Sequence, residues 1–246
     1  MEYIIYQAEE GIARITLNRP DSLNALNQPM MLELKEVLLS IKADDSIKVV
    51  IVDGAGRAFS AGVDIKATTS DGFQKGGSFM DVGKEVGDLI LNLPKVTIAK
   101  VHGYCFTGAL EMMLFFDMAF CTEDTQFGDT HAKWSVMPRW GMSQRLARRV
   151  GLAKAKELTF RAMRVKGLEA ERIGLVNRAF KAEEFDGEID RIVADIQENS
   201  FAAIKAIKRL YNEGYNTTLR EGLLLELAAD TYLPDTDAQL AKFQKK

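Results

Sequence analysis

The period with which apolar residues recur changes several times along this chain, and each change marks an element. Residues 3–7 and 12–17 read as two short strands joined by a turn at Glu9, Glu10 and Gly11, the signal of a hairpin. Asn18-Arg19-Pro20-Asp21 breaks the second strand. From 28 to 41 the apolar residues Met31, Leu34, Leu38 and Ile41 recur at helical spacing, and Pro29 suits a first helical turn. Residues 49–52 form an uninterrupted apolar run of the kind buried on both faces of a parallel sheet, followed by the loop Gly54-Ala55-Gly56-Arg57. Strand, helix and strand in that order predict a parallel crossover.

A second crossover follows a polar stretch, 68–78, whose Ser70, Asp71, Gly72, Gly76 and Gly77 predict a mobile surface loop or lid. A helix is expected over 79–92, then a strand over 96–101 and a glycine turn at His102-Gly103-Tyr104. The run Thr107-Gly108-Ala109-Leu110-Glu111 leads into 112–116, apolar enough for a buried helix, and 118–121 reads as another strand. Beyond Trp140 the pattern is mainly helical, over 143–149, 153–160, 168–173, 182–198 and 202–212. With no fixed-period repeat and no low-complexity linker, the expectation is an α/β chain built around one core.

Composition narrows the function rather than the fold. Thirty-two Lys and Arg against 35 Asp and Glu leave a net charge of −3, which gives no basic excess to attract nucleic acid. The two cysteines lie in apolar stretches and make no disulfide framework, so a reducing cytoplasm is expected. Neither a leader nor an apolar run of the roughly 18 residues that a membrane span needs is present, so export and membrane insertion are not expected. There is no Walker-type Gly-Lys-Ser/Thr, no Gly-x-Gly-x-x-Gly opening a helix after a strand, and no clustered Cys/His set for a metal. A nucleotide-phosphate enzyme is therefore disfavoured, and no redox cofactor is implied.

Several stretches, in order, resemble the crotonase (enoyl-CoA hydratase/isomerase) superfamily. They are Ile15-Thr16-Leu17-Asn18-Arg19-Pro20 with Asn24-Ala25-Leu26, Phe59-Ser60-Ala61-Gly62-Val63-Asp64-Ile65-Lys66, and Val101-His102-Gly103-Tyr104 through Glu111 and Asp117. Gln126-Phe127-Gly128, Pro138-Arg139-Trp140-Gly141 running into Arg145-Leu146 and Val150-Gly151, and Gly174-Leu175-Val176-Asn177 complete the set. The resemblance implies an α/β fold with a ββα spiral core over 1–182 and a C-terminal helical trimerisation region over 183–246. It also implies a homotrimer or a dimer of trimers, and an acyl-CoA substrate whose coenzyme A is part of the thioester and not a permanently bound cofactor.

A thioester reacts at its α- and β-carbons only if its carbonyl oxygen can carry negative charge, and each preorganised donor aimed at that oxygen contributes about 2.7–4 kcal/mol. The resemblance places those donors, the oxyanion hole, at the amides of Ala61 and Gly108. Gly108 opens a helix, where free N–H groups and the positive dipole end favour an anion. Glu111 is the candidate acid or base, because a carboxyl amid Leu110, Met112, Met113 and Leu114 is costly to bury for structure alone. Its alternative role is to cap its own helix start.

Hydratases of the superfamily use two glutamates, and here the second position is held by His131, one of only two histidines. Histidine serves as acid or base near neutral pH. Members that cleave carbon–carbon bonds resemble this chain in carrying a histidine there, yet the acid that accompanies it is replaced by Trp140. The resemblance further assigns coenzyme A to Ala25, to Ala61, Gly62, Val63, Asp64, Ile65 and Lys66, and to Gly108, with Asp64 bracing its loop through backbone N–H bonds. Tyr104, Trp134 and Trp140 are candidates for the acyl pocket or for core packing. The reading is an enoyl-CoA hydratase. Its alternatives are a double-bond isomerase or a carbon–carbon or thioester hydrolase using Glu111 and His131, and a non-catalytic acyl-CoA-binding or scaffolding subunit.

Overall fold

A computed structural model describes residues 1–66 and 78–243. The polar stretch expected as a lid lies, apart from Ser78, outside the described residues. Strand β1 (Ile4–Glu9) pairs antiparallel with β2 (Ile12–Leu17). Glu10 and Gly11 between them both take positive φ, 51° and 80°, which is the geometry a tight two-residue hairpin requires. Helix α1 (Gln28–Ala43) starts where the Asn27 side chain accepts the Met30 amide, and it buries Met30, Met31, Leu34, Val37, Leu38 and Ile41.

Strand β3 (Val49–Gly54) runs parallel to β2, and helix α2 (Ser78–Asn92) carries the chain to β4 (Val96–Val101), parallel to β3. From there the chain crosses repeatedly between two sheets. Strands β5 (Tyr104–Phe106), β7 (Gln126–Gly128) and β8 (Arg164–Lys166) form a small three-stranded sheet in the order 5-7-8. Strands β6 (Met118–Thr122) and β9 (Arg178–Phe180) extend the large sheet to the order 1-2-3-4-6-9. The pairs β4 and β5, β6 and β7, and β8 and β9 each put one strand in each sheet, so the chain advances as a spiral. Between them lie α3 (Gly108–Met113), α4 (His131–Trp134), α5 (Met142–Val150), α6 (Leu152–Phe160) and α7 (Gly167–Arg172).

Both faces of the large sheet are covered, as the apolar run at 49–52 predicts. Val50 and Val52 face the main core with α1, α2 and α3. Val49 and Ile51 face Val96, Ile98, Phe120 and Phe180, over which α8 (Phe185–Glu198) lays Phe185, Ile189 and Val193. The boundary expected at 182 therefore does not separate two packing units, because α8 closes the outer face of the sheet. Helices α9 (Phe201–Gly214), α10 (Leu219–Leu227) and α11 (Thr236–Phe243) follow, and neither α9 nor α10 has a buried residue. Lys208 ties α9 to the body, its Nζ donating to Asp117 Oδ2 at 2.7 Å and to the Lys95 carbonyl at 2.8 Å.

Fully buried Asn24 joins the loops that follow β2 and β3. Its Oδ1 accepts the Arg19 amide at 2.8 Å, and its Nδ2 donates to the carbonyls of Ala55 and Ala58 at 2.9 and 2.7 Å. A buried amide so completely bonded fixes the segment that precedes the loop at 60–64.

Candidate active site

The chain enters α3 through Thr107, whose φ of 47° is uncommon for a β-branched residue. Three bonds hold that turn: the Thr107 amide donates to the Gly128 carbonyl at 2.8 Å, its hydroxyl meets the Thr130 hydroxyl at 2.5 Å, and it accepts the Thr130 amide at 3.2 Å. The next amide, Gly108, is the first of the helix, and among the described residues it has no acceptor.

The loop at 60–64 packs directly against this turn. Gly62 has a φ of +96°, and a Cβ on it would lie 2.6 Å from the Phe106 carbonyl and 3.4 Å from the Gly108 amide. Leu26 donates to the Gly62 carbonyl at 2.8 Å and accepts the Asp64 amide at 2.9 Å. Those two bonds leave the intervening Val63 amide on the other side of the segment, where it has no acceptor among the described residues. It lies 3.4 Å from where a Cβ on Gly108 would be.

Ala61 does not fit the part expected of it. Its amide donates to the Leu23 carbonyl at 2.9 Å, so that N–H is engaged within the fold. Gly62 turns the chain immediately afterwards, which explains why the unengaged amide beside Gly108 belongs to Val63.

A cavity of about 100 Å³ opens beside these loops, lined by Ala61, Val63, Thr107, Glu111, His131 and Trp140 among others. Glu111 is 3% exposed and does not cap its own helix. Its Oε1 accepts the amides of Trp140 and Met142 at 2.8 and 2.9 Å, at the start of α5, and its Oε2 lies 3.6 Å from His131 Nε2. Burial raises the Glu111 carboxyl above its ordinary range, against the pull of those two amides and of His131.

His131 is likewise buried. Its Nδ1 lies 2.6 Å from Asp129 Oδ1, which also accepts the His131 amide at 3.1 Å. Asp129 Oδ2 accepts the Thr159 hydroxyl, brought in by α6, at 2.7 Å. Burial pushes the Asp129 carboxyl up, but the bonds from His131 and Thr159 outweigh it and hold the group below its usual value. Neither Asp129 nor Thr159 was singled out from the sequence. Asp129 was discoverable two positions before His131, whereas Thr159 gave no signal across thirty residues.

Trp140 forms a wall. Its Nε1 donates to the Met80 carbonyl at 3.1 Å, and its ring lies so close to Gly83 that a Cβ there would stand 2.1 Å from it. Trp140 and Arg139 also line a neighbouring groove of about 1000 Å³ bordered by α9. Trp134 lines the cavity, whereas Tyr104 stays on β5 beside Phe106, with ring centroids 5.4 Å apart. His102 Nε2 meets the Gly56 carbonyl at 3.0 Å and is not part of the cavity wall.

Of the residues expected to meet coenzyme A, Ala25, Asp64 and Lys66 are joined at one rim through Arg19. Arg19 Nη1 donates to the Ala25 carbonyl at 2.5 Å and to Asp64 Oδ2 at 3.0 Å, and Asp64 Oδ1 accepts the Lys66 amide at 3.1 Å. Asp64 thus braces the loop, with Ile65 and Lys66 exposed beside the cavity mouth. Among the described residues no cluster of His, Cys, Asp and Glu is arranged to hold a metal, and no helix is long and apolar enough to cross a membrane.

Known proteins show the same architecture over nearly the whole chain. A family model described as enoyl-CoA hydratase/isomerase matches residues 7–243. The chain is 32% identical over 229 residues to a crotonyl-CoA hydratase of Syntrophomonas wolfei, covering 93% of this chain and 88% of that protein. It is 33% identical over 227 residues to a short-chain-enoyl-CoA hydratase of Clostridium acetobutylicum, covering 92% and 87%. The crystal structure of an enoyl-CoA hydratase from Bacillus anthracis superposes with a TM-score of 0.92 at 27% identity, covering 99% of this chain and 96% of that one. A Magnetospirillum magneticum structure described as an enoyl-CoA hydratase/carnitine racemase gives 0.92 at 30% identity, covering 100% and 93%. With a matching fold and a family match over residues 7–243, this chain belongs to the enoyl-CoA hydratase/isomerase family.

Proposed function

We propose that the protein adds water reversibly across the double bond of a 2-enoyl-CoA. The observation that carries this reading is that the buried Glu111 carboxyl and the unengaged Val63 amide line one cavity, with the second unengaged amide, Gly108, packed beside Val63 behind Thr107 of the cavity wall. The amides hold the thioester oxygen as negative charge develops on it, and the dipole of α3 adds to their effect. Glu111 is fixed through Oε1, which leaves Oε2 facing His131 and the cavity. A fixed carboxyl whose pKa is raised by burial suits proton transfer near neutral pH. Fold alone would not support an activity, but this arrangement of groups does.

Coenzyme A enters only as part of the thioester, and the rim formed by Ala25 and 61–66 is where its nucleotide end is proposed to lie. Helices α9 and α10 expose Ile207, Leu219, Leu223 and Leu227, which supports assembly into a homotrimer or a dimer of trimers that covers them. Light scattering tests the assembly. Two buried, unpaired cysteines agree with a reducing cytoplasm.

The test of activity is the loss of enoyl-thioester ultraviolet absorbance on adding crotonyl-CoA, with the product identified by mass spectrometry. Hydration is expected, and Glu111→Gln is expected to lose about 10²–10⁴-fold in kcat while binding within a few-fold of wild type. A shifted double bond or free coenzyme A as the product would replace hydration by isomerisation or hydrolysis. No turnover of any thioester would leave a binding subunit.

A further inference from the structure

Four groups form one line that runs from behind the cavity wall to the cavity itself, which His131 and Glu111 line. Thr159 on α6 donates to Asp129, Asp129 faces His131 Nδ1, and His131 Nε2 faces Glu111 on α3. We infer that Asp129, itself held by Thr159, is the positioning residue that presents a bare Nε2 of His131 to the water it shares with Glu111. The inference rests on the hydratase reading for its kinetic consequence, though not for its geometry.

The bonding around Asp129 fixes the direction of the protons. Oδ1 accepts the His131 amide at 3.1 Å and lies 2.6 Å from the His131 ring, while Oδ2 accepts the Thr159 hydroxyl at 2.7 Å. A carboxylate with these neighbours is an acceptor only, so the ring nitrogen at 2.6 Å is the donor. Nδ1 therefore carries a hydrogen, so in the neutral form of the ring Nε2 is the bare nitrogen. The bond also locks the ring plane, with Nε2 aimed at Glu111 Oε2 at 3.6 Å. That spacing is too long for a direct hydrogen bond, yet a water oxygen can lie within reach of both groups.

In the hydration step this order balances. The water oxygen bonds to the β-carbon and its proton passes to His131 Nε2. The π electrons of the double bond move to the α-carbon and onto the thioester oxygen held by the two amides. Glu111, entering as the acid, gives its proton to the α-carbon as the enolate collapses. Imidazolium and carboxylate remain, and transfer of one proton from Nε2 to Glu111 Oε2 restores the starting state. Asp129 stabilises the imidazolium without taking its proton, the role an aspartate plays behind the histidine of a hydrolytic triad. The arrangement lets an imidazole stand where related hydratases carry a second carboxylate.

The test uses the protein labelled with ¹⁵N-histidine. It has only two histidines, so His102→Gln leaves a single set of ring signals to assign. At alkaline pH the His131 ring is expected as the Nδ1–H tautomer, and in Asp129→Ala the Nε2–H form that dominates free imidazole should prevail. Asp129→Ala should lower kcat about 10²–10³-fold with KM within about threefold. Thr159→Val should produce a smaller loss of the same kind, and Thr159→Ser should retain wild-type behaviour. If Asp129→Ala does not fold, the wild-type tautomer and the two Thr159 variants decide the matter. An Nε2–H tautomer in the wild type overturns the inference, as does an Asp129→Ala protein that keeps both tautomer and kcat. If Nδ1–H is seen and is lost with Asp129, but no enoyl-CoA is hydrated, the positioning stands and the hydratase reading falls.

Discussion

Glu111 Oε2 lies 3.6 Å from His131 Nε2, while the other oxygen of the same carboxyl is bonded by the amides of Trp140 and Met142. The group is oriented firmly, and the fold bears a cost for it that depends on pH. Burial, the largest influence, raises the carboxyl above its ordinary range. An acid with a higher pKa folded than unfolded contributes most to stability below its unfolded value of about 4.3, and that contribution is lost as pH rises through the folded value. Glu111→Gln never ionises and keeps an oxygen for the two amides. Its gain in Tm over wild type should be smaller near pH 5 than near pH 8, even as turnover is lost. Thermal denaturation at both pH values checks this, and a penalty that grows with pH would contradict it.

Gly108→Ala should damage the proposed anion site without touching Glu111. The new methyl would stand 2.7 Å from Val63 Cγ2, 3.3 Å from the Trp140 ring and 3.4 Å from the Val63 amide. A loss of about 10²-fold in kcat and of about 1–3 kcal/mol in stability is expected. Adding Val63→Ala removes the tightest contact, so the double variant should recover stability beyond the sum of the single effects. Additive losses in denaturant titrations would show that the two loops do not crowd each other.

Trp140 separates the small cavity from the large groove, and its tie to Glu111 runs through the backbone. Trp140→Ala should therefore shift kcat/KM toward long-chain relative to short-chain enoyl thioesters by about tenfold. The accompanying loss of stability should be about 3–5 kcal/mol. Competition between two chain lengths in one vessel measures the shift, and an unchanged ratio would place the acyl tail elsewhere.

Lys208→Met should loosen α9 from the body. The change removes donors from Asp117 and from the Lys95 carbonyl, leaving Asp117 with the Thr97 amide and hydroxyl. Amide hydrogens of α9 should exchange at least about tenfold faster, with a stability loss of about 1–3 kcal/mol. Exchange at the wild-type rate would mean that other contacts dock the helix.

The large elements were legible because their signals are local. The run at 49–52 announced a strand covered on both faces, and Met31, Leu34, Leu38 and Ile41 marked the buried side of α1. Strands β5, β7, β8 and β9 have three residues each, too few to establish a period, and their pairing depends on partners far along the chain. The buried helix expected to continue through Phe116 ends at Met113, since apolar residues alone do not say where a helix stops. Helices α10 and α11 carry no buried stripe to reveal them, although Thr218 and Glu221 form a capping box.

At the cavity, the positions of Glu111 and His131 were legible as side chains in recognisable surroundings. The second amide was not. Whether Ala61 or Val63 offers a free N–H depends on what Leu23 and Leu26 accept and donate, and on the turn made by Gly62. No side-chain letter encodes that choice.

The Val63 and Gly108 N–H groups belong to the peptide itself, so no replacement of their own side chains, short of proline, deletes them. Provided that the glycines shaping the two turns are kept, side chains elsewhere around the cavity can vary without removing these donors. Under the proposed function, a lineage is thus free to try imidazole in place of carboxylate at 131 and change which protons move, because the donors proposed to polarise the carbonyl do not depend on that side chain.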